Sequence, residues 1–323
     1  MMLLRCFLGG FALLFLACTS PTAPAAAPPA AAPSPEFQRY WYAGQAELSR
    51  YRLTQSRYGA LHPGEAVLVF VTEDFLPRQQ VKFEGGKTGE QPVSVLKMNQ
   101  LRRFATGIYD YSLNTSVFTP VSGTGTLKVV TTVQDWCGQT FSQLNRRGKQ
   151  YHLETRSYFQ QEADQDQDLP ADALLEDELW TRLRLAPTSL PTGAIRLIPG
   201  TVASRLRHRP LRPEPATATL APYTGQDFQP SQPGAALQAY SVRYAAGSRT
   251  LTIVFEAAFP HLVAGWDDSY DSQMQLGGQT VGSREVLTTR AVRTHTLRSD
   301  YWQRHTPADS TLRRQLGVTG FGK

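Results

Sequence analysis

Leu61-His62-Pro63-Gly64, followed by Glu65-Ala66-Val67-Leu68-Val69-Phe70-Val71, is the stretch that decides the fold. Pro-Gly reads as a turn. The apolar run from Ala66 to Val71 is short and rich in Val, which marks a buried strand rather than a helix. Upstream, Ala46 to Tyr58 is rich in Tyr, Leu, Thr and Arg and reads as a second strand. Downstream, Gln79 to Phe83, Val93 to Met98, Ile108 to Thr119 and Thr126 to Val133 continue the pattern. Phe141 to Leu144 and Gln150 to Phe159 flank Arg146-Arg147-Gly148-Lys149, a hairpin signal. Strand-like pieces recur about every 12 to 15 residues with turn signals between them, the pattern of an antiparallel sandwich or barrel.

One helix interrupts the series. Asp168 and Pro170 open it, Leu175, Leu179 and Leu183 recur on one face, and Pro187 closes it. Gly193 to Arg209 then reads as strand, and six prolines between Pro210 and Pro233 mark a long irregular stretch. That stretch, 210–235, is the place where the body would divide if it held two units. Ala239 to Ala245 and Arg249 to Ala257 form another hairpin, Ser283 to Leu297 a late strand, and Pro307 to Leu316 a short helix stopped by Gly317. The expected class is mainly β: an antiparallel sandwich or half-open barrel with one or two covering helices.

The N-terminus directs export. Met1 to Ala17 carries a single positive charge, Arg5, followed by an apolar run. The run is about 12 residues, shorter than the roughly 20 needed to span a bilayer, but suited to a signal peptide. It ends in Leu14-Phe15-Leu16-Ala17-Cys18, which looks like a bacterial lipobox with Cys18 as the acylated new N-terminus. Thr19 to Pro35 contains only Ala, Pro, Ser and Thr, a semi-rigid tether. The expected order is thus signal peptide 1–17, tether 18–35 and β-rich body 36–323. Fatty-acyl chains such as palmitate on Cys18 would hold the body at a membrane. Thr19, rather than Asp, after Cys18 points to the outer membrane, facing the periplasm.

Composition narrows the function. The chain has 323 residues, 41% of them hydrophobic and 19% charged, so it buries a sizeable core. A net charge of +6 is mild for this length and gives no nucleic-acid-binding excess. Three cysteines exclude a disulfide scaffold and a four-Cys zinc site. Of these, Cys6 leaves with the leader and Cys18 takes the lipid, which leaves Cys137 without a partner. No glycine-rich phosphate loop, nucleophile elbow or HExxH pair is present, so neither cofactor nor metal is expected.

Several segments resemble an uncharacterised group of Gram-negative bacterial lipoproteins. They are Trp41 to Glu47, Phe70 to Phe75, Gly107 to Ser112, Asp135 to Phe141, Leu174 to Trp180 and Leu190 to Gly193. Members often carry the name septum formation inhibitor Maf. Maf nucleotide pyrophosphatases are cytoplasmic α/β proteins with a Ser-x-Ser-Pro-Arg-Arg loop, and this chain has no such loop. The resemblance therefore implies an envelope lipoprotein and supplies no catalytic residue.

A few residues carry candidate chemistry. Cys137, with His152 on the partner strand of the proposed hairpin, has the composition of a Cys/His nucleophile pair. A buried cysteine packed between Trp136 and Phe141 is the simpler alternative. Arg205, Arg207 and Arg209 alternate, which in a strand would set three guanidinium groups on one face to meet acidic head groups or sugar phosphates. Trp41 and Tyr42 head an aromatic group that would line a cavity or fill the core. Asp164, Asp166 and Asp168 have calcium-loop spacing, but Leu169 and Leu175 stand where Gly and Glu are required. Asp267, Asp268 and Asp271 make a looser acidic cluster.

The reading that unites these signals is a lipid-anchored, non-catalytic binding or envelope-maintenance protein. Its curved sheet would hold an apolar or amphiphilic ligand, a lipid or a glycan. A thiol-dependent hydrolase using Cys137 and His152, and a structural subunit of an envelope complex, are the alternatives.

Overall fold

Hairpins follow one another through the first half of the chain. The computed structural model describes residues 33–318, apart from 124, 161, 277 and 278 and the side chains of 274–276. The leader, Cys18 and the tether as far as residue 32 lie outside the described residues. The body opens earlier than the tether reading placed it, with helix α1 (Pro35–Trp41). Ser34 caps that helix by accepting from the Phe37 N–H at 3.1 Å, and Pro35 sits in its first turn, where no backbone donor is needed.

The first run of strands is β1 (Ala46–Arg57), β2 (Ala60–Leu76), β3 (Val81–Lys82), β4 (Val93–Thr106) and β5 (Tyr109–Pro120). β6 (Lys128–Asp135), β7 (Gly138–Arg147), β8 (Gln150–Ser157) and β9 (Gln165–Pro170) complete it. The first turn is not at Leu61–Gly64. It lies at Tyr58-Gly59, both at positive φ (53° and 79°), the geometry of a two-residue hairpin, and residues 61–64 belong to β2. Pro63 pairs with Thr54 on one side, while the β4 ladder begins only at Gly64, so its missing N–H breaks no bond on the other. Gly64 has a separate reason: a Cβ there would overlap the Arg103 carbonyl and the Phe104 side chain.

The middle of the chain changes period. β10 (Leu174–Leu175) precedes a single 3-10 turn at Glu176–Glu178 and helix α2 (Leu179–Leu185). The expected helix is therefore shorter at its start, because Asp166 and Asp168 lie in the edge strand β9 instead of an acidic loop. Pro187 does follow its end. After β11 (Gly193–Ile198), residues Thr201–Arg207 form helix α3. This overturns the strand reading of Arg205, Arg207 and Arg209: Val202 and Leu206, four apart, are both buried, and that helical spacing outweighs the alternation of the arginines. β12 (Glu214–Pro222), β13 (Leu237–Tyr244), β14 (Thr250–Glu256) and β15 (Val263–Asp271) follow. A ribbon of β16 (Met274–Leu276) and β17 (Gln279–Val281) precedes β18 (Val286–Ser299) and helix α4 (Ser310–Gln315). The sheet runs on through 210–235, because β12 pairs with both β11 and β13.

All strands except the ribbon join one 16-stranded sheet, ordered β10-β11-β12-β13-β14-β15-β18-β1-β2-β4-β5-β6-β7-β8-β9 with β3 beside β2. Among the described residues only the β10–β11 pair is parallel. The sheet curls around α2 and stays open: its end strands β9 and β10 are joined by residues 171–173 but pair only with β8 and β11. The protein is thus mainly β, a half-open antiparallel barrel with covering helices. Among the described residues no helix is long and apolar enough to cross a membrane.

The concave interior is layered. Where β1 begins, it is apolar: Trp41, Phe70, Leu96 and Leu183 pack together with Tyr51, Trp180 and Trp266. Trp266 is fully buried between the rings of Tyr51, 5.0 Å away, and Trp180, 5.1 Å away edge-on. Where β1 ends, the interior is polar, with Gln55, Arg57, Gln100, Arg102, Arg249 and Asp268 all buried. Arg249 and Asp268 are matched there by geometry. Arg249 donates to Glu176 at 2.5 and 2.6 Å and to Asp268 at 2.8 and 3.1 Å. In the apolar half, Arg184 makes a buried fork with Glu47, both bonds at 2.6 Å, and gives a third to the Pro260 carbonyl at 2.8 Å.

Candidate functional site

Alternation along β6, β7, β8 and β9 sends Thr131, Val133, Thr140, Ser142, Leu153, Thr155, Gln165 and Gln167 to the concave side. α2 covers the interior beside β4 and β5, and α3 lies over β5 and β6. Between the last strands and α3 a cavity of about 310 Å³ remains, with Val133, Leu153 and Leu211 as its apolar lining. That volume is at the lower end of the range of roughly 300–1,000 Å³ for small-molecule sites.

Its polar wall comes from α3 and the β8–β9 loop. Asp177 fixes where α3 begins: its Oδ2 accepts from the Thr201 N–H at 2.9 Å. The helix ends at His208, whose left-handed backbone (φ 51°) is uncommon for a residue other than glycine. There the His208 ring meets the loop. Glu162 Oε1 accepts from His208 Nδ1 at 2.7 Å and from Arg205 Nη1 at 2.8 Å, and its Oε2 accepts from the Ser157 hydroxyl at 2.7 Å. Burial pushes the Glu162 carboxyl up, but the hydrogen bond from His208 and the charge of Arg205 outweigh it and hold it below the ordinary value. The Arg205 guanidinium also lies over the Phe159 ring at 4.5 Å.

Three buried polar atoms on this wall have no protein partner among the described residues: Ser204 Oγ, Arg205 Nε and His208 Nε2. No hydrogen bond joins Ser204 to His208, so they do not form a nucleophile and its base. Arg209, exposed at the cavity edge, has no acidic partner among the described residues.

The structure treats the residues singled out by sequence unequally. Arg205 and Arg209 line the cavity, whereas Arg207 turns away and lies over Tyr270 at 5.3 Å. Cys137 is exposed in the β6–β7 turn, where Asp135 accepts its backbone N–H at 2.7 Å, so it is not the buried core thiol of the simpler alternative. His152 pairs across from Asn145, at the other end of β7, roughly seven residues and about 23 Å along the strand. Its ring bonds Asp168 at 3.0 Å, so the proposed Cys137–His152 couple does not form. An open depression beneath the Cys137 turn lies on the convex face instead, lined by Ser112, Asn114, Thr132 and Gln134.

The remaining candidates serve the fold. Trp41 is a core residue, 1% exposed, and Tyr42 lies outside the core with its hydroxyl 3.1 Å from that of Ser94, so neither lines the cavity. Asp267 pairs with Arg290 at 2.7 Å, Asp268 with Arg249, and Asp271 accepts from Ser248 at 2.9 Å. Among the described residues no group of three or more His, Cys, Asp or Glu is arranged to hold a metal. Sequence reasoning missed Glu162, Ser204 and His208. The one available signal was the helical spacing of Val202 and Leu206, which places Ser204, Arg205 and His208 on neighbouring turns.

Asp177 makes the α3 boundary sensitive to pH. Burial, reinforced by Glu176, raises its carboxyl from 3.8 to about 7, although the Thr201 N–H opposes the shift. The folded state therefore holds a proton that the unfolded chain has lost between those two values, and stability from this group falls as pH rises across that window. Asp177→Asn is expected to flatten that part of a urea-midpoint profile and to stabilise the protein above pH 7. An unchanged profile would show that Asp177 titrates normally.

No protein-family model matches the chain, and no curated protein does. Among solved structures it is similar to a β-barrel-like protein of a domain of unknown function (DUF1849) from Brucella abortus. The two share 8% identity over 78% of this chain and 97% of that one, with a TM-score of 0.47.

Proposed function

We propose that the protein is a lipid-anchored envelope protein that binds a small amphiphilic molecule without transforming it. The observation that carries this is the cavity beside α3: strand side chains form its floor, and Arg205, His208 and Glu162 form a polar wall on one side. An apolar tail fits against Val133, Leu153 and Leu211, and a polar head fits at the α3 wall. The bulk of the barrel is closed to a ligand, because α2 and its aromatic neighbours fill the apolar half. The binding site is thus at one margin of the curved sheet. The lipoprotein resemblance and the Cys18 lipobox support placing it at a membrane, where amphiphiles are abundant.

The test uses the neutral fluorophore N-phenylnaphthylamine. The wild-type protein is expected to bind it saturably at one site. Ser142→Trp, which puts a large ring into the cavity from β7, is expected to abolish binding while leaving the melting temperature within a few degrees of wild type. Equal binding by that variant would place the ligand elsewhere or remove the proposal.

A further inference from the structure

The charges around the cavity say more about its occupant. Four cationic or basic groups line it, Arg156, Arg205, His208 and Arg209, against one acidic residue, Glu162. Arg156 is neutralised on the convex side by Glu154 at 2.8 Å and Asp166 at 3.3 Å. Glu162 is fully engaged, with Arg205 and His208 on one oxygen and Ser157 on the other. What remains is the Arg209 guanidinium at the edge, with no carboxylate, and the Arg205 Nε, buried and without an acceptor. A buried donor left unmade is costly, and a guanidinium fork suits a carboxylate or phosphate.

We propose that the ligand is an amphiphile with an anionic head group, a carboxylate or a phosphate monoester. Arg209 meets the head at the cavity edge, Arg205 fixes it from the α3 wall, and the tail lies over Val133, Leu153 and Leu211. Glu162 acts as a positioning residue: by bonding both Arg205 and His208 it holds the wall in shape, while the positive charges of Arg205 and Arg209 disfavour a cationic head. This inference rests on the binding function proposed above.

Four probes with the same eight-carbon tail test it by titration calorimetry: nonanoate, octyl phosphate, octanol and octyltrimethylammonium. Nonanoate or octyl phosphate is expected to bind about tenfold or more tightly than octanol, and the ammonium probe least well. The tighter of the two anions identifies the head-group chemistry. Arg209→Gln, at an exposed position that does not threaten folding, is expected to bring the anions towards octanol and to leave octanol unchanged. Arg205→Gln is expected to do the same more strongly. Octanol binding as tightly as the anions, or Arg209→Gln weakening all four probes alike, would overturn the anionic assignment while leaving the cavity as a binding site. If none of the four bound, and Ser142→Trp changed nothing, the binding function itself would fail.

Discussion

Replacing Arg249 with Met is expected to destabilise the protein by about 3–5 kcal/mol, read as a lower urea midpoint at unchanged slope. The side chain is 2% exposed and makes all its contacts inside the barrel. Its guanidinium is the shared partner of Glu176 and Asp268, with four bonds of 2.5 to 3.1 Å, and Tyr244 adds a short hydroxyl bond to the same Glu176. Met fills a similar volume without the charge, so packing is nearly kept and two buried carboxylates lose their counter-ion. They then face each other and Asp177 across a region with little water, where unpaired charge is most costly. Adding Glu176→Gln and Asp268→Asn to Arg249→Met should recover part of the loss, because each removes one of the stranded charges. A loss below about 1 kcal/mol would mean that water reaches this network freely.

Cys18→Ser is expected to move the protein from the membrane fraction to the soluble periplasmic fraction, an all-or-none change. The proposed anchoring depends on several acyl chains on one residue, since a single chain gives only marginal, reversible attachment. Serine has no thiol to acylate, and once its leader is removed the variant has no anchor. Intact-mass measurement of the wild-type protein should show an N-terminus at residue 18 carrying fatty-acyl chains. Wild-type protein found soluble, or wild-type protein whose residue 18 carries no acyl chain, would refute the lipid anchor and with it the envelope setting.

These two residues differ in how far the chain alone reveals them. The lipobox proposed at Cys18 is read from the chain alone, because leader, small residue and cysteine are contiguous. Arg249 is not: Asp268 is on the neighbouring strand, and only the curl of the sheet brings Glu176 to the two of them. The strands were legible for the same local reason as Cys18, since period-two alternation is written into each one. Where local signals competed, the louder one misled. Pro63-Gly64 looked like a turn, yet Gly64 is needed because two strands approach closely, and the real turn used Tyr58-Gly59. The alternating arginines after Gly200 suggested a strand, although the smaller signal, Val202 and Leu206 four apart, was the one that packing obeyed. The cavity was hidden because Glu162 and His208 lie 46 residues apart in the chain and meet only across the β8–β9 loop.

β1 sits at the centre of the sheet with β2 on one side and β18 on the other. Its pairing with β2 needs only a two-residue turn, whereas its pairing with β18 joins Ala46 to Ser299. A chain is made from its N-terminal end, so every hairpin from β1 to β9 can zip as it emerges, while the other margin of β1 waits for residues 286–299 to arrive. During that interval an unpaired backbone ribbon is on offer to any neighbouring chain. A protein truncated before Val286 would keep that ribbon open for good and is expected to aggregate edge to edge, which makes the wait for β18, more than core formation, the vulnerable moment in its folding.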